Sequence, residues 1–435
     1  VTASQGQSAL AEMPAEAPAA TRLRWWVLGL VFVAGTLNYI DRQMIAILKP
    51  MLQGQFGWTD QQYGHLGTLF QASAALTYLG IGWVIDKVGL RRGYAAGVAL
   101  WSAACMAHGA ALRLGHFLLA RVVLAAAEAV QTPASMKAIA EWFPVRQQTL
   151  AVGIVNTSSN IGAIIAPLIV PAVAVAYGWR AAFVATGALG FVWLVGWLLV
   201  PARSPAAPSP LQAAAQAAQP ELVTEAPAPA DASWRALLRL PDTWAVMAAK
   251  ALTDMVWWFL LFWAPDFLHR QFHLDMKQAG PPLAVIYGMA ALGAVSGGLL
   301  TTALLRRGLA GLRARKLAML TYACLILPLP LALHVTDPWL AVLFVGGALF
   351  AHQGFSTNLF ALAVDRFQAA RVASVISLGA LCGNASGMLM LETTGWVLTH
   401  LHTYMPMFAT SALVYLLATG VVHVLMGRRD GTQHA

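Results

Sequence analysis

Charge is scarce in this chain. Only 10% of its 435 residues are Asp, Glu, Lys or Arg, where soluble domains carry roughly a quarter. With 59% of residues apolar, too little polar surface is left to cover a water-soluble fold, and that class is excluded. Cysteine is nearly absent. Cys105, Cys324 and Cys382 all fall inside apolar runs, where they pack as small apolar residues, so neither a disulfide framework nor a spaced-cysteine zinc site is expected. Near its start the chain lacks a basic segment followed by a short apolar core and a cleavage site. The Ala- and Pro-rich residues 1–20 are therefore expected to be a disordered cytoplasmic tail. A pI near 9.7 does not point to nucleic acid, because the basic residues are scattered between apolar runs and form no patch interleaved with aromatics.

What the chain has in abundance is apolar length. Mean hydropathy is +0.64, and apolar runs of roughly 20 residues, enough to cross a 30 Å hydrocarbon core as helices, recur from end to end. Charges and turn residues delimit helices near residues 25–52, 61–86, 91–112, 115–140, 147–176 and 179–200. A second six follow near 241–268, 278–305, 315–332, 338–364, 370–398 and 401–426. Between the sets lies an Ala/Pro-rich stretch that reads as a flexible linker. The expected organisation is a tail (1–24), a six-helix bundle (25–201), a cytoplasmic linker (202–240), a second six-helix bundle (241–427) and a short tail (428–435). This is an all-α integral membrane protein with twelve transmembrane helices in two pseudo-symmetric bundles, surrounded by the lipid bilayer and expected to be monomeric.

Orientation follows from Lys and Arg, which concentrate in cytoplasmic loops. With the N-terminus inside, the outward loops hold only Lys49, Arg113, Arg180, Arg270 and Lys277, and Arg42, Arg121, Lys137 and Lys250 lie within spans. All other basic residues then face the cytoplasm, and so do both termini, in a cell (inner) membrane. The two halves also repeat. Ala127-Glu128 through Glu141-Trp142-Phe143 aligns without gaps on Ala351-His352 through Asp365-Arg366-Phe367, and the same offset brings Asn160 onto Asn384. Parallel repeats of this kind characterise transporters that hold substrate between two related halves.

Ionised groups at mid-membrane cost at least about 2.5 to 3.5 kcal/mol each, so they face a cavity and pair with something. Asp41 and Arg42 are adjacent, point about 100° apart and need separate partners. Arg121 and Glu128 are two helical turns apart and share one face. The planar, permanently charged guanidinium of Arg42 suits a substrate carboxylate, with a structural salt bridge as the alternative. Asp41, Arg121 and Glu128 suit proton coupling, in which Arg121 pairs with the two acids by turns; a permanent ion network is the alternative. Lys250 and Asp254 are four apart and either neutralise each other or present Lys250 as a second cation to an anion. Trp257 offers an aromatic face to a sugar ring. His352 sits opposite Glu128 in the repeat, and Asn160 and Asn384 are candidates for hydroxyl contacts. Glu392, late in its helix, is expected at the outer mouth.

The loop after the second helix reads Gly82-Trp83-Val84-Ile85-Asp86-Lys87-Val88-Gly89-Leu90-Arg91-Arg92. It resembles the signature loop of the major facilitator superfamily; physically, Gly82 permits close helix approach, Asp86 can cap or pair with cations near a helix terminus, and Gly89 allows the turn before Arg91 and Arg92. The second half carries Thr302 where the acid would stand. Asn38-Tyr39-Ile40-Asp41-Arg42, Arg121 with Glu128, and Glu141-Trp142-Phe143-Pro144 resemble the anion:cation symporter family within that superfamily. The run Pro133-Ala134-Ser135-Met136-Lys137 and the later Ala351-His352-Gln353 are most similar to its hexuronate branch.

This resemblance implies proton-coupled import of an organic anion, with substrate held by Tyr39, Arg42, Asn160, Lys250, Asp254, Trp257, His352 and Asn384. A hexuronate such as galacturonate or glucuronate is the expected cargo, and an aldonate such as galactonate or a dicarboxylate is the alternative. No cofactor is expected, protons drive the cycle, and sodium in their place stays open. An efflux antiporter is disfavoured, because residues 156–167 lack closely repeated glycines. Enzymatic activity is not expected: no His-Glu-x-x-His motif is present and no Ser-His-Asp set can be inferred. A membrane sensor would need a larger soluble output segment than either tail offers.

Overall fold

The structure, a computed structural model, describes residues 18–201, 234–367 and 369–427. Among these residues the chain is helical, with no strand. The first half comprises α1 (Pro18–Ile47), α2 (Lys49–Phe56), α3 (Asp60–Tyr78), α4 (Ile81–Val88), α5 (Leu90–Gly109), α6 (Leu114–Glu128), α7 (Gln131–Trp142), α8 (Val145–Tyr177) and α9 (Trp179–Leu198). The second comprises α10 (Trp234–Leu237), α11 (Pro241–Phe272), α12 (Met276–Arg306), α13 (Gly311–Ile326), a 3-10 turn (Leu329–Leu333), α14 (Pro338–Arg366), α15 (Ala369–Leu401) and α16 (Met405–Met426).

Ten segments are long and apolar enough to cross a membrane, and the bent pair α3–α4 makes an eleventh. The twelfth is α5. Arg91, Arg92 and many small residues hold its hydropathy down, but its 20 residues reach about 30 Å and it packs on α6 and α9. Lipid-facing stripes such as Leu292, Val295 and Leu299 are left exposed, as a chain solvated by hydrocarbon requires.

The repeat is visible in the helix limits themselves. α8 and α15 are each 33 residues long, and the sequence offset that aligns Asn160 with Asn384 carries the bounds of one onto the other. The same offset carries the start of α6 onto the start of α14 and the end of α7 onto its end. Phe143 and Phe367, which are equivalent residues, close these segments in the same extended conformation, at φ −114° and −115°. The second crossing of each half also begins alike, with Thr59 and Gln62 forming a capping box on α3 and Asp275 and Gln278 forming one on α12.

Several expected spans differ in detail. The span at 61–86 is bent by 51° between α3 and α4, where Leu79 and Gly80 take tight turn bonds to Leu76 and Thr77. The span at 25–52 breaks at Leu48, and the one at 115–140 breaks between Glu128 and Gln131. Residues 18–24, expected in the tail, form the first turns of α1. The end of the expected linker is ordered too, with Leu237 of α10 buried in the core. Residues 1–17, 202–233 and 428–435, which hold the remainder of the expected tails and linker, lie outside the described residues.

Within the first half, α1 packs on α8 and α9, and α5 on α6 and α9; within the second, α12 packs on α14, and α11 on α15 and α16. The halves meet along α3 with α15, α8 with α12, and α1 with α11. The named cross-contacts all lie toward one end, the end where α3 begins and α15 finishes. There a Cβ on Gly64 would come within 2.9 Å of the Leu391 carbonyl, and one on Gly280 within 2.5 Å of the Pro167 carbonyl. At the other end, where α1 begins and α9 finishes, the ion pairs close within single bundles: Asp86 with Lys137, Arg315 with Asp365, and Arg366 with Asp242. Among the described residues, then, the bundles are sealed together at one end, and the ion pairs named at the other, separated end each stay within one bundle.

Candidate functional site

Halfway along the first bundle, α1 delivers Arg42 to the end of α6. Its Nε donates to Glu128 Oε2 at 3.0 Å, with Arg42 11% exposed and Glu128 fully buried. The second carboxylate oxygen of Glu128, Oε1, has no partner. The Arg42 guanidinium also lies 5.5 Å from the ring centroids of Tyr39 and Phe70.

Arg121, two turns before Glu128 on the same face of α6, does not pair with an acid in this structure. Its guanidinium is fully buried, sits 4.2 Å from the Phe70 centroid, and leaves all three nitrogens without a hydrogen bond. Asp41 points about 100° around α1 from Arg42, as the step between helical neighbours requires, and meets a different partner. It accepts from the Cys105 thiol on α5 at 3.2 Å. Thus Arg42, rather than Arg121, holds Glu128 here, and Asp41 is held by neither arginine.

In the second bundle Lys250 donates to Asp254 at 2.7 Å, and its ammonium lies 4.7 Å from the Phe360 centroid. Trp257, one turn further along α11, is partly exposed and has one face stacked on His352, with centroids 5.2 Å apart. His352 is buried and its Nδ1 meets the Tyr415 hydroxyl at 2.6 Å, so it braces Trp257 from behind. Tyr39 on α1, Asn160 on α8 and Asn384 on α15 are all partly exposed at mid-helix.

The signature loop lies at the separated end. Gly89 has φ +86° between α4 and α5, a left-handed conformation that disfavours any side chain. Asp86 pairs with Lys137 of α7 at 2.6 Å, Lys87 lies over the Trp83 ring at 4.1 Å, and Arg91 donates to the Leu198 carbonyl at 2.5 Å. Arg92 is exposed. Around Gly82 nothing lies within 4 Å of a Cβ position, so in this arrangement it makes no close helix approach.

At the sealed end stands a charge network that the sequence pattern did not reveal. Lys49, expected in an outward loop, is fully buried on α2 and bridges Asp60 at 2.9 Å and Asp266 at 2.8 Å. It also lies over the rings of Tyr63 and Trp263. Arg270, likewise expected in a loop, extends α11 and binds both Asp60 and Asp266, and the Tyr404 hydroxyl donates to Asp266. Nearby, His65 of α3 meets Glu392 of α15 at 2.9 Å, and Thr68 donates to the same carboxylate at 3.2 Å. These groups tie α2 and α3 of one bundle to α11 and α15 of the other.

Two bundles of repeated topology, joined at one end around a central set of paired charges, are matched over residues 31–391 by the family model of the Major Facilitator Superfamily. The chain belongs to that superfamily. Among its relatives, the Hexuronate transporter of Escherichia coli (strain K12) is 28% identical over 421 residues, covering 95% of this chain and 96% of that protein. The Galacturonate transporter of Dickeya chrysanthemi is 31% identical over 283 residues, covering 63% of this chain and 81% of its own length. The fold is also that of a bacterial homolog of the human lysosomal transporter Spinster, solved in an inward-facing and occupied conformation: TM-score 0.74 at 19% identity, covering 93% of this chain and 97% of that one. Like other members of the superfamily, this protein is a secondary transporter and not an enzyme.

Of the residues singled out in the sequence, the superfamily fold brings Arg42 and Arg121 to one ring, that of Phe70, with Glu128 and Tyr39 beside Arg42. It brings Lys250, Asp254, Trp257 and His352 together on the other side. Phe70 and Cys105 went unnoticed because an apolar side chain between two arginines, or a thiol facing an acid, has no signature along the chain. The Lys49 network could have been suspected from acids and bases that flank spans in pairs, but only folding shows that they converge.

Proposed function

We propose that this protein is a proton-coupled symporter that imports an organic anion of the hexuronate class, such as galacturonate or glucuronate, by alternating access. The single observation that carries this reading is the Arg42–Glu128 pair. A cation with its edge in the cleft is held by a buried acid that has one oxygen free. A proton reaching Glu128 Oε1 removes the charge that holds Arg42, and the guanidinium turns to the carboxylate of the substrate. Anion and proton then occupy the site together or not at all, because Arg42 can satisfy only one carboxylate at a time.

Charge counting supports coupling. Asp41, Arg42, Arg121, Glu128, Lys250 and Asp254 sum to zero when ionised, so an anion entering alone leaves the low-dielectric centre negative. At least one proton must enter with it to offset that charge. Tyr39, Asn160, Asn384 and the free face of Trp257 supply hydroxyl donors, amides and a flat surface of the kind a sugar acid uses. The names of the Escherichia coli and Dickeya relatives support a hexuronate over a dicarboxylate as cargo.

With both termini cytoplasmic, as the distribution of Lys and Arg favours, the separated end opens to the cytoplasm. The Lys49–Asp60–Asp266–Arg270 network then closes the outer mouth. The signature loop, with Asp86 on Lys137, would be the element that re-engages when the inner end closes.

The test is uptake of radiolabelled galacturonate into proteoliposomes under an imposed inward proton gradient. Accumulation that vanishes with a protonophore supports the proposal. Accumulation driven by a sodium gradient alone, or none for any sugar acid, overturns it.

A further inference from the structure

Two of the three central cations, Arg42 and Lys250, are already occupied by carboxylates of their own bundle. For Arg42 the partner comes from another helix, whereas for Lys250 it comes from one turn along the same helix, Asp254, at 2.7 Å. We propose that Asp254 is an internal substitute for the substrate's carboxylate, which frees Lys250 to bind the anion only when Asp254 takes up a proton. This rests on the function proposed above and assigns the second bundle its own proton site.

The packing around the pair makes it a switch rather than a surface bridge. α15 crosses α11 on a row of glycines: Gly379 against Lys250, Gly383 against Asp254 and Gly387 against Trp258. A Cβ on Gly383 would come within 2.3 Å of Asp254 Oδ2, so the carboxylate lies in a slot kept open by the absence of a side chain. Asp254 is 14% exposed and Lys250 8%, which leaves the acid the more reachable of the two from the cleft. The titratable groups facing the pair from other helices are His352 on α14, near Lys250, and Tyr415 on α16, near Asp254. They bond to each other, and α15 presents glycine. Among the described residues, no second acid stands beside Lys250 to replace Asp254.

The step balances without other reactants. A proton from cleft water adds to a carboxylate oxygen of Asp254, the Nζ–H to Oδ1 bond breaks, and the same Nζ–H is donated to the substrate carboxylate. On release the proton leaves Asp254 and the bond to Lys250 re-forms. Because α11 and α15 also carry Arg270 and Glu392 of the sealed end, loosening the pair at their crossing reaches the helices that hold the bundles together.

The experiment is calorimetric titration of the purified full chain with galacturonate in buffers of different ionisation enthalpy, which counts protons taken up per anion bound. Asp254→Asn is expected to take up one proton fewer than the parent. It should bind galacturonate about tenfold more tightly one pH unit above the point where the acid ionises, since a competitor present nine-tenths of the time is gone. At acid pH the two should bind alike. Should Asp254→Asn lose its fold, Lys250→Gln/Asp254→Asn keeps the hydrogen bond without charge and is also expected to take up one proton fewer. An unchanged count in either variant overturns the proposal and leaves the Arg42–Glu128 reading intact. Failure of the parent chain to bind any sugar acid overturns both.

Discussion

The guanidinium of Arg121 lies 4.2 Å from the centroid of Phe70 and makes no hydrogen bond, while Arg42 approaches the same ring at 5.5 Å and holds Glu128. One aromatic ring therefore carries two cations, of which only one has an acid. An unpaired buried arginine is costly, and the ring's negative face offsets part of that by about 0.5 to 2 kcal/mol. In the proposed cycle Arg121 would take the Glu128 carboxylate only when the proton leaves it while Arg42 still holds substrate, so that the alternation expected between acid and arginine would become an exchange between two arginines.

Phe70→Leu should remove that support while preserving bulk. We expect a loss of galacturonate transport rate of about tenfold, with Phe70→Tyr retaining most of it, measured as initial uptake in proteoliposomes. Equal rates in Phe70→Leu and the parent would assign the ring to packing alone.

Arg42→Ala should weaken galacturonate binding by about a hundredfold or more, because a desolvated carboxylate loses its partner at a cost of about 3 to 5 kcal/mol. Neutral galactose, which makes no such contact, should bind neither better nor worse. The comparison is made by equilibrium binding at fixed pH, and unaltered affinity for the acid sugar would return Arg42 to a structural role.

His65 and Glu392 touch across the sealed end at 2.9 Å. With Cys324 and Cys382 replaced by serine, a short reducible bifunctional reagent joining His65→Cys to Glu392→Cys should stop transport, and reductant should restore it. Transport that continues through the cross-link would mean that α3 and α15 need not part there.

Much of this architecture was legible in the chain. Hydropathy and turn residues gave the spans, and the offset between Asn160 and Asn384 is the one that relates the bounds of α8 to those of α15. Loop chemistry around Gly89 gave the turn between α4 and α5. The bends at Leu79–Gly80 and after Glu128 were not foreseen, since each leaves the apolar run unbroken. Helical spacing tells which face a charge occupies and not which neighbour meets it: it separated Asp41 from Arg42 but led to Arg121 as the partner of Glu128, where the structure has Arg42, 86 residues away. Lys49 was misplaced for a related reason. A lysine beside a proline reads as a loop, and only the convergence of Asp60, Asp266 and two aromatic rings makes its burial tolerable.

The most direct test of the central claim compares net accumulation with exchange in Glu128→Gln. An amide cannot lose a proton, so Arg42 stays available and substrate should still exchange across the membrane. A pH gradient should no longer drive accumulation. Proteoliposomes preloaded with unlabelled galacturonate are expected to take up labelled galacturonate at close to the parent rate, while empty ones under an inward proton gradient accumulate none. Gradient-driven accumulation that persists in Glu128→Gln would contradict the account.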